Sequence, residues 1–126
     1  MRVRVESIVQ GSPLVVTFSS EFGSSMACWV GEEPTLHSWY DVEVDIMGEM
    51  EWNQNVFLSE NLVASISSSL AGTRLSGFVE SVDDDDCTVL RLGDHIILVT
   101  VHGIPNQAGI WVCIDTKELF LYPFCL

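Results

Sequence analysis

Basic residues are scarce in this chain, and the few present are unevenly placed. Its 126 residues include 18 Asp and Glu against 5 Lys and Arg, a formal net charge of −13. No Lys or Arg occurs between Arg4 and Arg74, although ten acidic residues do. Such a surface repels phosphate backbones and anionic lipids. We therefore expect no nucleic-acid and no membrane partner, whereas a basic protein would be attracted. High negative charge also favours solubility by itself.

Long apolar runs and targeting segments are missing too. No stretch approaches the ~20 apolar residues of a membrane-spanning helix. Residues 1–9 alternate in character and so lack the apolar centre of a signal peptide. The four cysteines, Cys28, Cys87, Cys113 and Cys125, show no C-x-x-C or zinc-like spacing. These absences predict a cytoplasmic protein with reduced thiols.

Recognisable catalytic and metal-binding motifs are absent as well. The run Asp83–Asp86 lacks the alternating acids and the glycine at the sixth position of an EF-hand loop, so it predicts a solvated hairpin turn. The histidines His37, His95 and His102 form no metal-binding motif, and no G-x-S-x-G elbow occurs. We predict that the protein is not an enzyme and that it binds no metal ion and no cofactor.

The most regular feature present is the stretch 39–52, WYDVEVDIMGEMEW. Its apolar positions are Val42, Val44 and Ile46, and its acidic positions are Asp41, Glu43 and Asp45. This alternation is the period of a strand with one buried and one wet face. Gly48 interrupts it, and Glu49 and Glu51 continue the acids beyond. The stretch therefore predicts a strand whose outer face is a row of carboxylates.

Short strand-like runs separated by turn residues fill the rest of the chain. Gly11-Ser12-Pro13 predicts a first hairpin, and residues 19–25 read as a polar loop. Residues 59–71 fit either a helix or a strand, and their serines favour the strand. We predict one all-β domain over residues 1–126, with about 8–10 short antiparallel strands. A small barrel and a β-sandwich both fit, with little or no helix.

The strand rhythm over residues 38–122, with bends at Gly48 and Gly77, resembles that of small OB-type barrels. The resemblance implies a closed barrel built from that part of the chain. Single-stranded nucleic acid binds such barrels in a basic groove with aromatic side chains. Aromatic residues are present here but the basic groove is not, so the expectation of no nucleic acid stands.

Tryptophans and acids of the first half together predict a partner-binding site. The candidate residues are Glu32, Glu33, Trp39, Asp41, Glu43, Asp45, Glu49, Glu51 and Trp52. Aromatic anchors ringed by carboxylates suit a basic protein surface. The other interpretation of the tryptophans is that they fill the core.

In size, charge and lack of catalytic motifs the chain is similar to bacterial immunity proteins, which neutralise basic nuclease toxins. The resemblance implies a non-catalytic inhibitor with a nuclease-type toxin as its partner. A small-ligand or carbohydrate-binding barrel that uses exposed tryptophans is the alternative. The sequence leaves open the partner's identity and the oligomeric state.

Overall fold

The computed structural model describes residues 1–124, and these residues form an all-β structure. No helix occurs in this range, so none is available there to cross a membrane. The strands are β1 (Arg2–Val9), β2 (Leu14–Ser20), β3 (Gly23–Trp29), β4 (Trp39–Ile46), β5 (Met50–Glu51), β6 (Val56–Leu58), β7 (Ser65–Ser69), β8 (Gly72–Val82), β9 (Cys87–Leu92), β10 (His95–His102), β11 (Trp111–Thr116) and β12 (Leu119–Pro123).

Five of these strands close into a small barrel. β1 pairs antiparallel with both β2 and β4, and β2 pairs antiparallel with β3. β12 closes the ring, because it pairs parallel with β3 and antiparallel with β4. The resulting order β1-β2-β3-β12-β4 confirms the predicted small all-β barrel. Closure leaves these five strands without the long unpaired edges that open sheets expose.

The barrel does not lie where the sequence placed it. The OB-type resemblance assigned it to residues 38–122, but β1 to β4 and β12 build it. Residues 50–116, which carry β5 to β11, form instead a sheet that we call the extension. Within it the long strand β8 pairs with β7, β9 and β11, and β10 pairs with β9.

A glycine allows the barrel and the extension to join. Gly23, the first residue of β3, pairs with Ile66 of β7. Its φ is 133°, and a Cβ there would lie 2.0 Å from the carbonyl oxygen of Ile66. Only glycine has both the backbone freedom and the small size for this approach. The junction therefore depends on the absence of a side chain at position 23.

One hydrophobic core runs through both parts. Phe18 and Val42 of the barrel and Leu75 and Ile97 of the extension are at most 1% exposed and belong to one contiguous cluster. The core also holds a polar contact between the two parts, because the buried hydroxyls of Ser25 and Thr73 lie 2.6 Å apart. A hydrogen bond is what permits such groups to be buried at low cost.

Two local predictions have different outcomes. The predicted loop over residues 19–25 is wrong, because β2 extends to Ser20 and β3 begins at Gly23, so only Glu21 and Phe22 turn the chain. Serine-rich sequence looks like a loop, yet here it forms paired strand ends. In the ambiguous segment 59–71 the favoured strand is confirmed over Ser65–Ser69.

Candidate functional site

The outer face of β4 presents the carboxylates that its sequence predicts. Val42, Val44 and Ile46 are buried in the core, whereas Asp41 and Glu43 are exposed and Asp45 is half-buried. We call Asp41, Glu43 and Asp45 the acid row. The row forms because side chains of a strand alternate between its faces, and the apolar residues take the core side.

The two strands beside β4 give the acid row different neighbours. On one side Arg2 of β1 is the register partner of Asp41, but its guanidinium lies over the Trp39 ring, 5.5 Å from the centroid. On the other side β12 places Phe120 opposite Asp45 and Tyr122 opposite Glu43. The row is therefore bordered by a cation–π pair at one end and by aromatic side chains along its length.

A groove of about 550 Å³ lies between the acid row and the extension. Glu43 and Asp45 of β4 form its carboxylate wall, and the side chains of Ile96, Leu98, Tyr122 and Phe124 form its apolar wall. The four apolar or aromatic side chains are all exposed; Ile96 is 52% and Leu98 59% accessible to solvent. Charged and apolar surfaces thus meet in one concave feature.

His95 also lines this groove but brings no positive charge to it at neutral pH. Burial lowers the pKa of His95 to about 4, so the ring is neutral near pH 7. Its Nδ1 lies 3.2 Å from the nitrogen of Met1, and its buried Nε2 has no hydrogen-bond partner within the described residues. The charge of the groove therefore comes from its carboxylates.

None of the ion pairs formed within residues 1–124 includes a member of the acid row. The arginines pair with other acids. The pairs are Arg4–Glu6 at 2.7 Å, Arg74–Asp115 at 2.7 Å and Arg91–Glu80 at 2.6 Å. The acid row is consequently a negative stripe that takes part in none of these ion pairs.

Glu49 and Glu51 lie beyond the end of β4 in a different setting. The carboxylate of Glu49 is 2.8 Å from Nε2 of His102, and this hydrogen bond raises the pKa of His102. Glu51 is exposed in β5, and Trp52, which follows it, is half-buried against the core. Glu49 and Glu51 therefore both lie outside β4, and Glu49 already has a partner.

Glu32 and Glu33 lie at the opposite end, in the loop that precedes β4. The carbonyl of Glu32 accepts a hydrogen bond from Nε1 of Trp29, and Glu33 accepts one from the side chain of Gln10. The strand β4 itself spans about 23 Å, at ~3.3 Å between successive residues, and Glu32 and Glu33 lie outside it. The structure brings together only the acid row and Trp39 on one face.

The tryptophans divide between core and surface. Trp29 is 4% exposed and packs edge-on against Tyr40 at 5.0 Å between ring centroids, whereas Trp39 is 50% exposed. The interpretation that some tryptophans fill the core is thus confirmed for Trp29. Trp111 of β11 is half-buried against Phe78.

Sequence reasoning missed the apolar half of the groove. The run HIILVTV (95–101) is almost continuously apolar, and strands of that composition are usually buried on both faces. In the structure Ile97 and Val99 are buried, whereas Ile96 and Leu98 are exposed. The sequence carries no signal for this difference, because residues 96–99 are all apolar and alternate only in their burial.

At two other candidate sites, the Asp83–Asp86 turn and Cys28, the side chains contribute to local structure. Oδ1 of Asp83 accepts hydrogen bonds from the N–H groups of Asp85 and Cys87 at 2.8 and 2.9 Å, so this acid shapes the hairpin turn. Burial raises the pKa of the Cys28 thiol, which disfavours the reactive thiolate. No cluster of three metal-ligating side chains exists among the residues that the structure describes.

Comparisons of the chain with protein-family models, with curated proteins and with solved structures found no match.

Proposed function

We propose that this chain is a non-catalytic binding protein that engages a basic protein partner through the acid row. The observation that carries the proposal is that Asp41, Glu43 and Asp45 form no ion pair within residues 1–124, whereas the strand acids Glu6, Glu80 and Asp115 each pair with an arginine. Unpaired carboxylates on a rigid strand need no rearrangement to meet Lys or Arg. They also speed encounter with an oppositely charged protein.

The most concrete form of this function is an immunity or inhibitor protein that neutralises a nuclease-type toxin. Nucleases that bind phosphate backbones carry basic surfaces, and an acidic protein can cover such a surface directly. Size, net charge and the acid row support this form. A gene for a basic toxin next to the gene for this chain would strengthen it.

Binding of a small ligand or a carbohydrate is the second candidate. It is favoured by one observation, the groove of about 550 Å³ with aromatic residues beside carboxylates, which lies within the ~300–1,000 Å³ typical of ligand sites. Binding of this kind would depend little on salt.

Affinity capture with matched charge reversals tests the protein-binding function. The chain would be immobilised beside a row variant, Asp41→Lys with Glu43→Lys, and a hairpin variant, Asp84→Lys with Asp85→Lys. The two variants change the charge equally, and Asp84 and Asp85 are exposed in the β8–β9 turn. We expect a basic protein to be retained by the parent chain and the hairpin variant and lost from the row variant. Retention by the row variant would overturn the proposal.

A further inference from the structure

We infer that the groove between β4, β12 and β10 receives an amphipathic cationic segment of the protein partner. One apolar side chain of that segment would rest on Ile96, Leu98, Tyr122 and Phe124. Lysines or arginines beside it would reach Glu43 and Asp45. The inference rests on the proposed function, because it names the part of a basic partner that the acid row would bind.

The apolar wall supports an apolar anchor. Ile96 and Leu98 come from β10, Tyr122 comes from β12 and Phe124 follows that strand, so separate parts of the chain converge on one concave surface. All four are exposed while their strand neighbours Ile97 and Leu121 are buried. Clustered apolar side chains of this kind mark interaction sites more often than scattered ones do.

The carboxylate wall determines the charge of the occupant. Glu43 and Asp45 have no ion-pair partner within residues 1–124, and His95 beside them is neutral at pH 7. A purely apolar segment would remove water from these carboxylates without compensation, which is unfavourable. A purely basic segment would leave the apolar wall uncovered. Only a segment with both kinds of side chain satisfies both walls.

Charge also argues against a second copy of this chain as the occupant. A two-fold symmetric contact through the groove would bring like surfaces together, so the two acid rows would face each other. Like charges opposed across an interface are strongly unfavourable. The complementary partner is therefore a different protein with a cationic segment.

Two peptides of equal charge test the inference. One alternates lysine with leucine and phenylalanine over seven residues, and the other carries serine at every apolar position. Each would carry a fluorophore, and its dissociation constant would be measured by anisotropy at several salt concentrations. We expect the amphipathic peptide to bind at least ~10-fold more tightly, which is the effect of about one buried apolar contact.

Variants of each wall separate the two contributions. Ile96→Ser with Leu98→Ser should remove the preference for the amphipathic peptide and leave the salt dependence unchanged. Glu43→Gln with Asp45→Asn should weaken both peptides and flatten the salt dependence. The matched apolar control is Leu62→Ser with Val63→Ser, since these side chains are 67% and 65% exposed outside the groove. This control should behave like the parent chain, and circular dichroism would establish that each variant folds.

The possible failures are distinguishable. Equal affinity for both peptides, or a preference that survives Ile96→Ser with Leu98→Ser, overturns the amphipathic segment but leaves the acid row as a binding surface. Binding that depends neither on salt nor on Glu43 and Asp45 overturns the proposed function as well. Stronger binding of an uncharged apolar peptide would contradict both.

Discussion

Acidic side chains of strands lie on two faces of the molecule, and the two sets differ in whether they form ion pairs with arginine. On the extension, Arg74 of β8 gives two hydrogen bonds to Asp115 of β11, at 2.7 and 2.9 Å, and Arg91 of β9 lies 2.6 Å from Glu80. On the barrel, the acid row of β4 has none of these partners within residues 1–124. The strands of both faces pack on the same core, so packing alone does not explain why only one set of acids is paired.

The difference follows from the positions of the few arginine side chains. Arg4 pairs with Glu6 of its own strand, Arg74 and Arg91 pair with acids on neighbouring strands, and Arg2 lies over Trp39. Exposed ion pairs contribute only about 0–1 kcal/mol to stability, so an unpaired row is tolerated by the fold. A fold that loses little by leaving three acids bare can present them to a partner.

The largest expected effect comes from breaking the junction between the two regions. Gly23→Ala should cost about 3 kcal/mol or more, because the new Cβ would meet the carbonyl oxygen of Ile66 at 2.0 Å and the φ of 133° is strained for alanine. Urea unfolding measures the loss. Gly48→Ala is the control, since its φ is also positive, at 87°, but a Cβ there would meet no atom of residues 1–124 within 4 Å beyond its chain neighbours. Equal costs for the two would show that the junction is not closely packed.

A smaller effect, dependent on pH, is expected where β10 of the extension meets the barrel. The pKa of His95 is about 4 in the folded chain and near 6.5 when unfolded. The unfolded chain therefore binds the proton first, and the contribution of His95 to stability is lost as pH falls from 6.5 towards 4. After allowance for partial exposure we expect a loss of about 1 kcal/mol between pH 7 and 5.

His95→Gln is the variant that isolates this effect. The free energy of unfolding of the parent chain should decrease more between pH 7 and 5 than that of the variant. Identical pH dependence in the two chains would mean that His95 is not held neutral.

The ion pair between Arg74 and Asp115 of the extension should have only a small coupling energy. A double-mutant cycle with Arg74→Ala and Asp115→Ala should give about 0.5–1 kcal/mol, since the contact is bidentate but Arg74 is half exposed. The measurement is urea unfolding of the four chains at low salt. A coupling energy of several kcal/mol would mean that the fold depends on the ion pair between Arg74 and Asp115. Ion pairing of strand acids would then matter for stability, which contradicts the explanation given for the unpaired acid row.

The smallest expected effect is the change in stability when carboxylates of the acid row are neutralised. Asp41→Asn with Glu43→Gln should change stability by no more than about 0.5 kcal/mol, with any change towards higher stability because two of the 18 acidic residues are removed. Thermal and urea unfolding both report it. A marked loss of stability would show that these carboxylates have structural partners.

Local patterns predicted much of this structure. The alternation of β4, the turn at Asp83–Asp86 and the all-β class all follow from side-chain period and turn residues, whereas a barrel and a sandwich both fitted them. Closure by β12 could not be predicted, because Leu121 pairs with Trp29 across more than ninety residues and no local signal encodes that register. The groove was missed for the same reason, since β4, β10 and β12 are brought together only by closure of the barrel and packing of the extension.

The most direct test of the account is the salt dependence of the complex with a purified basic partner. Dissociation constants would be measured for the parent chain, for Asp41→Lys with Glu43→Lys and for Asp84→Lys with Asp85→Lys. The account predicts affinity that falls steeply with salt, an about 100-fold weaker row variant, equivalent to ~2.8 kcal/mol, and a hairpin variant close to the parent. Equal losses in the two variants, or affinity indifferent to salt, would contradict it.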